Sequence, residues 1–169
     1  MARAPAKLNF LPLTFDTVER LSGLATAPQK AHLVRPAARL MAQAALSAEN
    51  TTFGVFLGDV AVGLISLDDP RVMNEPADPL TRDCLDIWQL LVDGKHERQG
   101  IGRAMVEFAK SYAQLVGLSG LALNTMDNAK HAPLAFYEKL GFAPTGRRHQ
   151  VGRDDMIELV WRAPTYHMP

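Results

Sequence analysis

Glu97-Arg98-Gln99-Gly100-Ile101-Gly102-Arg103 stands between an apolar run, Cys84 to Val92, and an amphipathic run that opens at Ile101. A strand that gives way to a helix through two glycines turns sharply and brings its backbone N–H groups together. The positive end of the helix dipole points at the same place, so an anion is the natural guest. A pyrophosphate fits, with Arg98 and Arg103 near enough to assist. The same glycines also suit a tight strand–helix corner that holds no ligand. Two other phosphate loops are excluded by spacing. No Gly-Lys-Ser/Thr follows, and the third glycine of the dinucleotide fingerprint is missing around Glu107.

Outward from this loop the periodicity is clear. Ile101, Met105, Phe108, Ala109, Tyr112, Leu115 and Val116 mark one helical face, and Gly117 stops the helix. Leu118 to Thr125 reads as a strand, Pro133 to Lys139 as a helix closed by Gly141, and Ala143–Val151 with Met156–Arg162 as a closing pair of strands. Upstream, Thr52–Leu57 and Val60–Leu67 form a hairpin through Gly58-Asp59. The stretch 68–82, with Pro70, Pro76 and Pro79, is a polar loop. Ala31 to Ala48 is helical, its continuous part beginning near Pro36. Asp16-Thr17-Val18-Glu19 reads as a capping box, with Val18 and Leu21 turned to the core. The pattern predicts one α/β domain over residues 1–169, with strands partly antiparallel and partly joined through helices.

Composition narrows the function. The 169 residues carry 18 basic and 18 acidic side chains and are 47% hydrophobic, enough for one core without a structural metal. Zero net charge argues against a nucleic-acid binder. No apolar run approaches the ~20 residues that span a bilayer, so no membrane segment is expected. The lone Cys84 gives no disulfide framework and points to a reducing cytoplasm. The charge is uneven, however. Residues 59–86 hold seven acidic side chains (Asp59, Asp68, Asp69, Glu75, Asp78, Asp83, Asp86) against two basic ones. That block is either a solvated loop or a surface that attracts a cation.

About 34 residues beyond the glycine loop comes Phe136-Tyr137-Glu138-Lys139-Leu140-Gly141-Phe142. Strand, glycine turn, helix, strand and a second helix ending in this motif together resemble the GNAT acyl-CoA N-acetyltransferase superfamily, from about Phe53 to Arg162. Ile87-Trp88-Gln89-Leu90-Leu91-Val92 and Pro144-Thr145-Gly146 are similar to its diamine and spermine/spermidine branch. The resemblance implies a mixed β-sheet, splayed at its centre and flanked by helices, with acetyl-CoA as cosubstrate lying in the gap. It places the pantetheine arm along Leu90, Leu91 and Val92. The pyrophosphate falls on the amides of Arg98, Gln99, Gly100, Ile101, Gly102 and Arg103, and Lys139 joins the cofactor set. Two positions depart from the family pattern. Glu97 stands where Gln or Arg is usual, and Lys130 where Asn is frequent; Asn128, two residues earlier, is the candidate replacement.

The implied reaction needs a neutral amine, a donor for the oxyanion and a proton for the departing thiolate. Tyr137 occupies the family's position for the acid, and a phenol is protonated at neutral pH. The same residue would also suit a short helix as an amphipathic core tyrosine. The backbone N–H of Val92 or Leu91 would meet the oxyanion. Strand alternation puts Asp86, Trp88 and Leu90 on one face. Trp88 fills the family's usual carboxylate position, which leaves Asp86 as the base, acting through a water. Bulk water as base, with Asp86 a mere strand-end charge, is the alternative. His96, His131 and His149 lack metal-ligand spacing, and no metal is expected. The expected acceptor is a primary amine of a small molecule, such as a polyamine. Acetylation of a protein N-terminus or an aminoglycoside, or a silent acyl-CoA sensor, are the alternatives; a sensor has no need of Tyr137. Homodimerisation is implied by family habit alone.

Overall fold

The computed structural model describes residues 7–73, 78–127 and 133–164. In chain order it contains β1 (Leu8–Pro12), α1 (Phe15–Leu21), α2 (Ala37–Ala44), β2 (Asn50–Leu57), β3 (Val60–Asp68) and β4 (Cys84–Val92). These are followed by α3 (Ile101–Leu115), β5 (Gly120–Met126), α4 (Leu134–Lys139), β6 (Ala143–Val151) and β7 (Asp154–Arg162). The seven strands form one sheet in the order β1-β2-β3-β4-β5-β7-β6. Every neighbouring pair is antiparallel except β4–β5, which α3 joins as a parallel crossover. This is the mixed, helix-flanked sheet expected from the sequence.

Helix α3 packs across β3, β4 and β5. Met105, Val106 and Ala109 on its inner face meet Ile65, Leu67, Leu85, Leu121 and Leu123 in the larger core. Leu21, Leu40 and Met41 of α1 and α2 cover the other face, over Phe56, Leu64 and Leu91. Burying side chains of this size contributes about 1.5–3 kcal/mol each, which fixes both layers. The end of α3 is closed by Gly117 at φ +81, with Leu118 N–H on the Ala113 carbonyl at 2.8 Å.

Four expectations need correction. Strand β1, an edge strand ending in Pro12, was not apparent in the sequence, because five residues between a tail and a helix offer little periodicity. The N-cap of helix α1 lies two residues earlier than Asp16: it is Thr14, exchanging bonds with Thr17, and Val18 is exposed. Leu115 is also exposed; at this end of the helix the buried stripe runs through Ala113 and Val116 instead. Finally, the alternation assumed along β4 breaks at a bulge. Ser66 opposes Gln89 while Leu67 opposes Ile87, leaving Trp88 as the extra residue. Trp88 therefore packs with the α1/α2 layer, and Leu90 with the α3 layer.

Candidate active site

Strands β4 and β5 pair over only three positions, Cys84–Gly120, Leu85–Leu121 and Asp86–Ala122. Beyond Asp86 they diverge, so the β4 edge from Ile87 to Val92 and the β5 edge from Leu123 to Met126 face a gap. That gap is a cleft of about 590 Å³, lined by Trp88, Leu90, Val92, Asn124, Phe136 and Tyr137 among others, and continued by the glycine loop. The hydrogen bond from Asp93 N–H to the Val62 carbonyl (2.9 Å) sets the direction of the free backbone groups. Alternation turns Leu91 N–H toward β3 and Val92 and Leu90 into the gap. Of the two expected oxyanion donors, Val92 is the one so oriented, whereas Leu91 is buried in the α1/α2 core.

The loop that closes the cleft is shaped by two left-handed residues, Arg98 (φ +61) and Gly100 (φ +80). Gly100 is the N-cap of α3 and offers no side chain, so the N–H groups of its first turn point outward unsatisfied. Arg98, Gly100, Ile101, Gly102 and Arg103 all line the cleft. Arg98 and Arg103 are exposed and have no carboxylate partner among the described residues. Unpaired arginines beside a free helix N-terminus are chemistry suited to a phosphate. An extended thioester arm likewise fits an unpaired strand edge that can hydrogen-bond it. Gln99 and Lys139 lie outside the lining, and Asn128 lies outside the described residues.

Tyr137 is buried (8% exposed) on α4, against Phe136 and Phe142. It lines the cleft, and its hydroxyl has no hydrogen-bond partner among the described residues. Burial, reinforced by the charge of Asp86, raises its pKa above the usual phenol value, so the O–H persists as a donor at all working pH values. Asp86 does not itself line the cleft; it sits directly behind Ile87, at the last rung before the strands part. Its carboxyl is pushed up to about 7, first by burial and then by the charges of Asp68 and Glu158. Asp68 is its cross-strand neighbour on β3 and accepts from Asn50 Nδ2 at 2.5 Å. Glu158, on β7, accepts from Thr145 Oγ1 at 2.7 Å and stands 3.8 Å from Arg147. Sequence reading missed Glu158, because nothing in β7 announces which strand it will stand near.

Other candidates fall away. Burial pushes the Cys84 thiol up to about 11, so it is no nucleophile. His96 is bonded to the buried Asp93 (3.0 Å). Among the described residues no three His, Cys, Asp or Glu side chains are grouped to hold a metal, and no helix is long and apolar enough to cross a membrane.

Comparison with known proteins identifies the family and the fold. The family model described as "Acetyltransferase (GNAT) family" matches residues 19–142. The human protein "N-acetyltransferase 8" is 29% identical over 108 residues, which are 64% of this chain and 44% of that one. The chain spans 30–62% of the length of the curated relatives it matches. Among solved structures, a GNAT family acetyltransferase from Elizabethkingia anophelis with acetyl-CoA bound has a TM-score of 0.62 at 17% identity, covering 95% of this chain and all of that one. The ribosomal-protein-S18-alanine N-acetyltransferase from Escherichia coli has a TM-score of 0.66 at 18% identity, covering 96% and 99%. With its family model spanning most of the chain, this chain belongs to the acetyltransferase (GNAT) family.

Proposed function

We propose that the protein uses acetyl-CoA to acetylate a primary amine on a small cationic molecule, a polyamine being the best fit. The observation that carries the reading is Tyr137, a buried side chain whose hydroxyl has no hydrogen-bond partner among the described residues, lining a cleft between two unpaired strand edges. A hydroxyl that donates to no protein group is free to donate to a reacting sulfur placed beside it.

In the proposed reaction the neutral amine attacks the thioester carbonyl carbon. Val92 N–H donates to the carbonyl oxygen as it becomes negative. The C–S bond then breaks, with the Tyr137 O–H donating to the sulfur as charge gathers there. The proton lost by the amine passes through a water to Asp86, whose pKa near 7 suits a base at neutral pH. The pyrophosphate rests on the N-terminus of α3 between Arg98 and Arg103. Asp68, Asp86 and Glu158 favour a cationic acceptor over a neutral one, and this supports the polyamine reading.

Thiol release from acetyl-CoA with a panel of amines (spermidine, a simple diamine, an aminoglycoside, an N-terminal alanine peptide) tests this. Tyr137→Phe is expected to lower kcat at least about a hundredfold while leaving acetyl-CoA affinity nearly unchanged. Equal turnover in the variant removes Tyr137 from the acid role. No thiol release with any amine favours the sensor reading.

A further inference from the structure

Glu97 places a carboxylate in the loop assigned to the pyrophosphate, where it would repel the ligand. The structure shows how that charge is met. The Glu97 carboxylate accepts from Lys30 Nζ at 2.7 Å. Lys30 ends a short 3-10 turn, Pro28–Lys30, in the segment between α1 and α2. Both residues line the cleft, together with Arg98 and Arg103. Glu97 is the only partner of the ammonium among the described residues, which leaves two of its three donors unused at the cleft mouth.

The segment carrying Lys30 is not free to drift away. Gly94 N–H donates to the Ala25 carbonyl at 2.8 Å. Asp93, 8% exposed, accepts from Ala25 N–H at 3.4 Å, Lys95 N–H at 3.2 Å and His96 Nδ1 at 3.0 Å. A Cβ on Gly94 would stand 2.7 Å from Ala27 N, so the two backbones are as close as a glycine permits. Residues 25–30 are thus stapled to the strand end that leads into the loop, and the staple fixes where Lys30 can reach.

We infer that Lys30 is a ligand of the cofactor's diphosphate, contributed from the N-terminal segment and held in position by Glu97. The inference rests on the pyrophosphate lying at the α3 N-terminus. In this arrangement the glutamate anchors the ammonium, which bridges carboxylate and phosphate. The loop gains a third cation beside Arg98 and Arg103, from outside its own sequence.

The test is equilibrium binding of acetyl-CoA, 3′-dephospho-acetyl-CoA and S-acetylpantetheine to the full chain, by calorimetry for the first two and NMR titration for the third. Lys30→Gln is expected to weaken the two diphosphate ligands about tenfold and leave S-acetylpantetheine unchanged. Lys30→Arg is expected to retain affinity. Glu97→Gln removes a repelling charge and is expected to bind acetyl-CoA as tightly as the parent or more so. A pair with only a structural role predicts otherwise: Lys30→Gln and Glu97→Gln would weaken all three ligands alike, and that result overturns the inference. So does an unchanged affinity in Lys30→Gln, or an effect that disappears with the dephospho ligand. Arg103→Gln separates the underlying reading. If it too leaves affinity unchanged, the pyrophosphate site itself is misplaced; if it weakens binding while Lys30→Gln does not, only the role of Lys30 falls.

Discussion

Asp86 carries one consequence for folding and, in the proposed reaction, the opposite one for catalysis. Its carboxyl titrates near 7 in the folded chain and near 3.8 in the unfolded one. Below about pH 4 it is neutral in both states and costs nothing. Between those values the folded state holds the proton more tightly, so stability falls as pH rises, and above 7 the full cost of a buried charge remains. Asp86→Asn is therefore expected to raise Tm by about 5 °C at pH 8, with the gap closing by pH 4, in paired melting curves. The same substitution is expected to lower kcat/KM and abolish its rise through pH 7. Tyr137 and Asp86 were both legible in the sequence, one from its motif and one from its strand. Which faces they share was not. A bulge at Trp88 reverses the alternation beyond it, and bulges depend on the partner strand rather than on the residue itself.

At the scale of elements, the glycine loop and α3 were readable because each is specified locally, by Gly100 and Gly117 and by a long apolar stripe. Strand β1 was not, because its place is set by contacts far along the chain. Phe10 stacks on Phe108 of α3 with centroids 4.1 Å apart, and Phe53 of β2 meets the same ring edge-on at 5.0 Å. One aromatic side chain thus joins β1, β2 and α3, and none of the three rings lines the cleft. Phe108→Ala is expected to cost about 3 kcal/mol in urea unfolding, with acetyl-CoA affinity retained under native conditions. Loss of affinity in proportion to stability would show that the edge and the cleft are coupled more tightly than this packing indicates.

Across the whole molecule, the acidic block at 59–86 divides into spent and available charges. Asp69 is bonded to Arg71 at 2.6 Å and Asp83 to Arg162 at 2.7 Å, which hold both carboxyls below their usual range, Asp83 at about 2. Asp59 lies 3.8 Å from Arg20, and Asp78 is paired with Arg147. Among the described residues, Asp68 is the acid of this block that faces Asp86 with no ion-pair partner, its pKa raised chiefly by burial. Asp68→Asn is expected to raise KM for a polyamine severalfold at low salt, with the difference shrinking as salt rises, while Asp69→Asn and Asp83→Asn leave KM unchanged. The sequence showed that the charge was concentrated there; only the fold shows which arginines, some of them 79 residues away, have already neutralised it.

The three-rung contact between β4 and β5 has one more consequence, for how much protein persists. Two strand edges stand open inside the molecule, so the sheet by itself is incomplete there. Any donor molecule that bridges those edges binds the folded chain and not the unfolded one, and at a hundredfold excess over its Kd it adds about 2.7 kcal/mol to stability by mass action. The acyl donor is then a component of the fold as well as of the reaction. A cell short of it would hold fewer intact copies, and supply and steady-state abundance would rise and fall together.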